Sequence, residues 1–161
     1  MRNISILALI LVFLLSSAMS CEKDEVLESE NDTTLIFGLV YGFCQGDCAQ
    51  LFKLEGDNLY EDDGIDRLQA EQVLLFKETP LSNVKYDLAT SLRSDFPASL
   101  INNPDTIIGI PNAYDQGGIY IEYQNGEVDR FWMLDTNLDA LPEDLRPYAD
   151  RLKEVWTELT Q

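Results

Sequence analysis

Asn125-Gly126 sits between two runs rich in β-branched and aromatic residues, 119–123 and 128–134. Asparagine and glycine tolerate the positive φ angles of a tight reversal, so this pair between two strand-forming runs is a strong hairpin signal. It commits the second half of the chain to antiparallel pairing. A strict two-residue loop at Asn125-Gly126 would set Glu122 opposite Asp129. Like charges directly across a pair are unfavourable. The hairpin is therefore expected to shift its register or to lie at an exposed edge.

The remaining strand signals fit around that hairpin. Residues 33–43 (TTLIFGLVYGF) are β-branched and aromatic and read as a buried strand. Gly38 and Gly42 within it mark bulges or close backbone approach. After a turn at 44–48, residues 49–54 read as a second strand, and Leu59-Tyr60 follow a turn at 55–58. Residues 61–66 form an acidic loop. Residues 73–77 and 106–110 read as further strands.

Two stretches carry helical periodicity instead. Leu81, Val84, Leu88 and Leu92 recur at spacings of three and four, with Ser82 placed to cap the first turn. Leu145, Tyr148, Leu152, Val155, Trp156 and Leu159 form the stripe of a terminal helix beginning near Pro147. Two apolar stripes must be buried, and a sheet offers a face for them. The expected fold is α+β, an antiparallel sheet of about five to six strands with two amphipathic helices packed on it. It occupies residues 33–161 as a single domain.

The residues before that domain have another character. Arg2 is followed by an apolar run, 4–15, broken only by Ser5, then by small residues and Cys21. This is the order of a secretory signal, and the apolar run is short for a membrane span of roughly 20 residues. Ala18-Met19-Ser20-Cys21 resembles a bacterial lipobox, although Ala18 stands where Leu is usual. The resemblance implies cleavage after residue 20 and lipidation of Cys21; the alternative is ordinary secretion with cleavage among residues 18–20. Residues 21–32 then read as an acidic flexible tether. Glu22-Lys23-Asp24-Glu25 is similar to the export tag of some Bacteroidetes surface lipoproteins. The expected location is the cell envelope, lipid-anchored at the outer membrane, with surface display possible.

Charge and composition exclude several functions. The chain carries 11 Lys+Arg against 29 Asp+Glu, a formal net charge of −18. Such a chain repels nucleic-acid phosphates and anionic headgroups. The expected partners are the membrane, through the N-terminal lipid, and an envelope or extracellular protein. Nucleic acid is not expected. A divalent cation is permitted by charge but supported by no motif. There is no histidine, which removes His-based triads and the commonest metal ligand. No catalytic residue, metal site or cofactor is expected.

Four stretches carry side chains that could form a site. With Cys21 assigned to lipid, Cys44 and Cys48 remain as a pair, and an oxidising compartment favours a disulfide between them. Free thiols are one alternative; redox exchange is another, but three residues separate the pair where catalytic dithiols usually have two, and a metal site would need further ligands. Asp135-Thr136-Asn137-Leu138-Asp139 has the rhythm of a calcium loop. It then places Ala140 where glycine is needed and Arg146 where a glutamate closes the site. The acidic loop 61–66 offers clustered carboxylates, or simply a solvated turn. The loop 111–118 offers Tyr114, Asp115 and Gln116, with Tyr120 just beyond, as a possible binding loop; its glycines could equally serve a tight turn.

Several pieces taken together resemble a known group: Tyr41-Gly42-Phe43-Cys44-Gln45-Gly46-Asp47-Cys48, then 115–123 (DQGGIYIEY), then Phe131-Trp132-Met133-Leu134-Asp135-Thr136. In this order they are similar to small lipoproteins of Bacteroidetes. The resemblance implies export, lipidation and a single domain, and it transfers no catalytic residues. The expected role is a non-enzymatic binding or structural module. An inhibitor or adaptor of extracellular enzymes is a second reading, and an enzyme built on paired carboxylates a third.

Overall fold

The apolar strand β1 (Thr34–Val40) lies at the centre of a six-stranded sheet of order β3-β2-β1-β5-β6-β4. The structure is a computed structural model and describes residues 33–42, 44–46, 48–64, 73–111, 113 and 116–161. β1 pairs antiparallel on one side with β2 (Ala49–Glu55) and on the other with β5 (Gly118–Asn125). β3 (Asn58–Glu61) and β6 (Val128–Asp135) continue the antiparallel pairing outward. β2 approaches β1 closely at Gly38. A Cβ on Gly38 would collide with the carbonyl of Gln50, which is why glycine stands in the middle of an otherwise bulky strand.

The sheet is mixed rather than purely antiparallel. Of residues 106–110, only Ile107–Ile108 form a strand, β4, and it runs parallel to β6 at the sheet edge. Gly109 ends it by adopting φ +80°. The expected strand at 73–77 is reduced to a single bridge, Asp62 to Phe76. Its backbone meets residues 61–63 only through Asp63 N–H to Leu75 O and Lys77 N–H to Glu61 O. Leu74 and Phe76 instead turn onto the sheet and pack there.

The β5–β6 hairpin resolves the charge conflict by shifting. Asn125 pairs with Val128, so the loop is Gly126-Glu127, and Glu122 faces Phe131. The Asn125 side chain closes the reversal by accepting from the N–H of Val128 at 2.9 Å. Moving the loop by one residue changes the partner of each residue by two. The same side chains therefore still face the core.

Three helices pack on one side: α1 (Asn83–Ser94), the short α2 (Ala98–Ile101) and α3 (Arg146–Leu159). Ser82 caps α1 as expected. One member of its predicted stripe does not. Val84 is 72% exposed, while Ala89 and Leu92 are fully buried. At 100° per residue Val84 lies about 140° around the helix from Ala89, on the solvent side. The terminal stripe holds better: Leu145, Tyr148, Leu152, Val155 and Leu159 are buried, and Trp156 is half-buried. Between helices and sheet lies the main core, with Leu35, Phe37, Phe52, Ile121 and Trp132 fully or almost fully buried. Phe96 joins it from the end of α1, its ring 4.3 Å from that of Tyr123 and 5.5 Å from that of Tyr148. The Tyr148 hydroxyl donates to Leu92 O at 2.9 Å and ties α3 to α1.

Among the described residues no helix is long and apolar enough to cross a membrane. The proposed leader, Cys21 and the tether lie outside the described residues.

Candidate binding face

Strand alternation gives the sheet a second face, away from the helices. Ile36, Gly38 and Val40 of β1 point there, as do Leu51 and Lys53 of β2, Tyr120 and Glu122 of β5, and Phe131 and Met133 of β6. One half of this face is covered. Leu74, Phe76 and Met133 pack against Ile36, Val40, Ala49, Leu51 and Tyr120 as a second small core. Beside it, a cavity of about 310 Å³ is lined by Ile36, Lys53, Leu74, Phe76 and Glu122, among others. The Lys53 ammonium sits 5.1 Å from the Tyr60 ring and 5.3 Å from the Phe76 ring, and pairs with Glu55 at 2.9 Å.

The other half is open. Phe131 is 49% exposed and Ile107 is 62% exposed. Ile107 pairs with Met133 across β4–β6, so the two occupy neighbouring positions. The Tyr120 and Phe131 rings stack, with centroids 6.2 Å apart and planes 14° from parallel. Tyr120 donates its hydroxyl to Glu122 at 2.6 Å, and Gln124 donates to the other oxygen of Glu122 at 2.7 Å. Burial, then the hydrogen bond to Glu122, push the Tyr120 phenol far above its ordinary range. The hydroxyl therefore remains a proton donor and holds Glu122 in place.

The sequence expectation for the loop 111–118 divides. Tyr114 and Asp115 lie outside the described residues. Gln116 is exposed, and its carbonyl accepts from Thr136 Oγ1 at 3.4 Å. Tyr120 does not belong to an exposed loop: it lies within β5 and is only 7% exposed. Its neighbour Phe131 presents the aromatic surface instead. Strand periodicity alone puts Asp129, Phe131 and Met133 on one face, but which face the helices would cover was not legible in the sequence. Gly117 has φ +78°, and a Cβ there would meet Tyr41 and Val40 O at 2.8 Å. The glycine thus serves packing against Tyr41.

Cys44 and Cys48 form a disulfide, with Cα atoms 5.5 Å apart, across the turn between β1 and β2. Asp135 is buried, and both carboxylate oxygens accept backbone N–H groups at 2.8 Å, one from Ile110 and one from Asn137. Asn137 accepts from Asp139 N–H. The oxygens of the imagined calcium loop thus organise the chain around themselves. The acidic loop is similar. Asp62 turns inward and accepts from Leu51 N–H at 2.6 Å and Gly64 N–H at 2.9 Å, while Glu61 pairs with Lys77 at 2.7 Å. Its residues Ile65 and Asp66 lie outside the described residues. Among the described residues no group of three or more Cys, Asp or Glu is placed to hold a metal ion.

Comparison with protein-family models finds no match, and comparison with curated proteins finds none either.

Proposed function

We propose that the chain is exported, lipidated on Cys21 and held at the outer membrane, where its domain acts as a non-enzymatic binding or structural module. The observation that carries the binding part is the open half of the outer sheet face. An aromatic ring on a regular strand, half exposed and stacked on a buried tyrosine, is a rigid contact surface with little side-chain entropy to lose. The order of charged start, apolar run, small residues and Cys21 supports the export part. The acidic stretch after Cys21 supports a tether that keeps the domain clear of the bilayer, and Glu22-Lys23-Asp24-Glu25 supports display at the cell surface.

Two measurements test the parts separately. Intact mass of protein extracted from membranes should show Cys21 as the first residue, carrying acyl chains, and Cys21→Ser should release the protein from the membrane fraction. An unmodified N-terminus at residue 19, 20 or 21 would reduce the reading to simple secretion. A photo-crosslinking residue at position 131 should trap a protein partner in cells that the same residue at position 158, on α3, does not. Equal or absent trapping at both positions would remove the outer face from the proposal.

A further inference from the structure

We infer that the open half of the outer face takes a cationic segment of a protein partner, with a lysine or arginine side chain laid on Phe131 between Glu122 and Asp129. This rests on the binding-module reading and names the chemistry of the partner.

The arrangement follows from the strand register. Glu122 stands directly across from Phe131, and Asp129 precedes Phe131 by two positions on the same face. One exposed ring is thus bordered by two carboxylates. Glu122 accepts hydrogen bonds only from the neutral donors Tyr120 and Gln124, which fix it in position; Lys53 lines the same cavity but pairs with Glu55. Asp129 is exposed. Neither residue belongs to an ion pair among the described residues; those pairs are Lys53–Glu55, Lys77–Glu61 and Arg151–Glu154. The arginine between Asp129 and Phe131 points the other way. Arg130 donates to Ile101 O at 2.9 Å and Asn103 O at 2.7 Å, and its guanidinium lies over the Trp132 ring.

Each alternative occupant meets a cost that a cation avoids. A purely apolar surface would strip water from two carboxylates and bring neither of them a counter-charge. An anionic surface would be repelled. A second copy of this chain would bring its own Glu122 and Asp129 toward the first pair, on top of a formal net charge of −18 per chain. A lysine or arginine gains from the face of the ring and from both carboxylates together. Apolar residues beside it would cover Met133 and Ile107. The charge of the whole chain steers such a partner toward it from a distance.

The test uses the full-length chain in non-ionic detergent and a fluorescein-labelled peptide, acetyl-(Leu-Arg)₄-amide, read by anisotropy at physiological salt. A second peptide replaces arginine with citrulline, which keeps the shape and removes the charge. The expected result is that Phe131→Leu and Asp129→Asn each weaken binding of the arginine peptide by roughly fivefold. Glu158→Gln, which removes the same charge from the exposed side of α3, leaves it unchanged, and the citrulline peptide binds at least about tenfold more weakly. If Glu158→Gln weakens binding as much as Asp129→Asn, only net charge is at work and the inference is overturned. Equal binding of the two peptides overturns it as well. A dimer of the free protein that dissociates on Phe131→Asp would give the face to a second copy. Crosslinking from position 131 to a neutral or acidic partner would preserve the module and remove the cationic one.

Discussion

Gly109 and Asp135 are packed so closely that a Cβ on Gly109 would lie 2.5 Å from the Cβ of Asp135. The contact places the Ile110 N–H on the Asp135 carboxylate at 2.8 Å. Parallel β4 is thereby stopped after two residues and turned across the end of β6. Two effects oppose any larger residue at 109: the φ of +80° and the collision itself. Gly109→Ala should cost about 2–4 kcal/mol in urea unfolding. Asp135→Ala leaves the N–H groups of Ile110 and Asn137 without their acceptor and should cost about 1–3 kcal/mol. A glycine replacement that leaves the unfolding midpoint in place would show that β4 is not held here.

Leu92 and Val84 separate core from surface on one helix. Leu92→Ala should destabilise by about 2–5 kcal/mol, because a fully buried side chain leaves a cavity behind. Val84→Ala should fall within about 0.5 kcal/mol of the parent. Equal losses from the two changes would place the helix in a different rotation from the one described.

The Cys44–Cys48 bridge closes a loop of five residues. Chain-entropy reasoning puts its stabilisation at roughly 2 kcal/mol. Reduction, or replacement of both cysteines by serine, should lower the unfolding free energy by that amount and leave the far-ultraviolet circular dichroism of the folded state unchanged. A reduced protein as stable as the oxidised one would mean that the turn is already fixed by its backbone, as Tyr41 N–H to Cys48 O at 2.7 Å partly does.

Asp62 gives the stability a pH dependence of definite sign. Burial raises its pKa, outweighing the two backbone N–H groups that stabilise its charged form. A carboxyl with a raised folded pKa binds its proton more tightly folded than unfolded. Its contribution is complete below the unfolded value, near 3.8, and is lost as pH rises through the raised folded value. Unfolding free energy, followed from pH 7 downward, should therefore gain from this group, and Asp62→Asn should remove that gain. A carbon-13 titration of the Asp62 carboxyl at or below the ordinary aspartate value would contradict it.

Much of this fold is written locally. The Asn125-Gly126 turn signal, the β-branched and aromatic run at 33–43, the stripe from Leu145 to Leu159 and the Ser82 cap each act over a few residues, so each could be read before any partner was known, although the strand itself ends at Val40. Even the hairpin shift was signalled, by the like charges of Glu122 and Asp129. The sequence by itself also determined the absence of histidine, the acidity of the chain and the Cys44–Cys48 spacing that a bridge requires. Only the tertiary structure decided what depends on contacts between distant segments. It turned Val84 to solvent, made β4 parallel, and folded Leu74 and Phe76 over half of the outer face, where they help to bury Tyr120. The physical reason is that alternation assigns side chains to two faces but does not say which face the helices will cover. That choice is made by the summed burial of the whole core, and it left Phe131, between two carboxylates, on the open side.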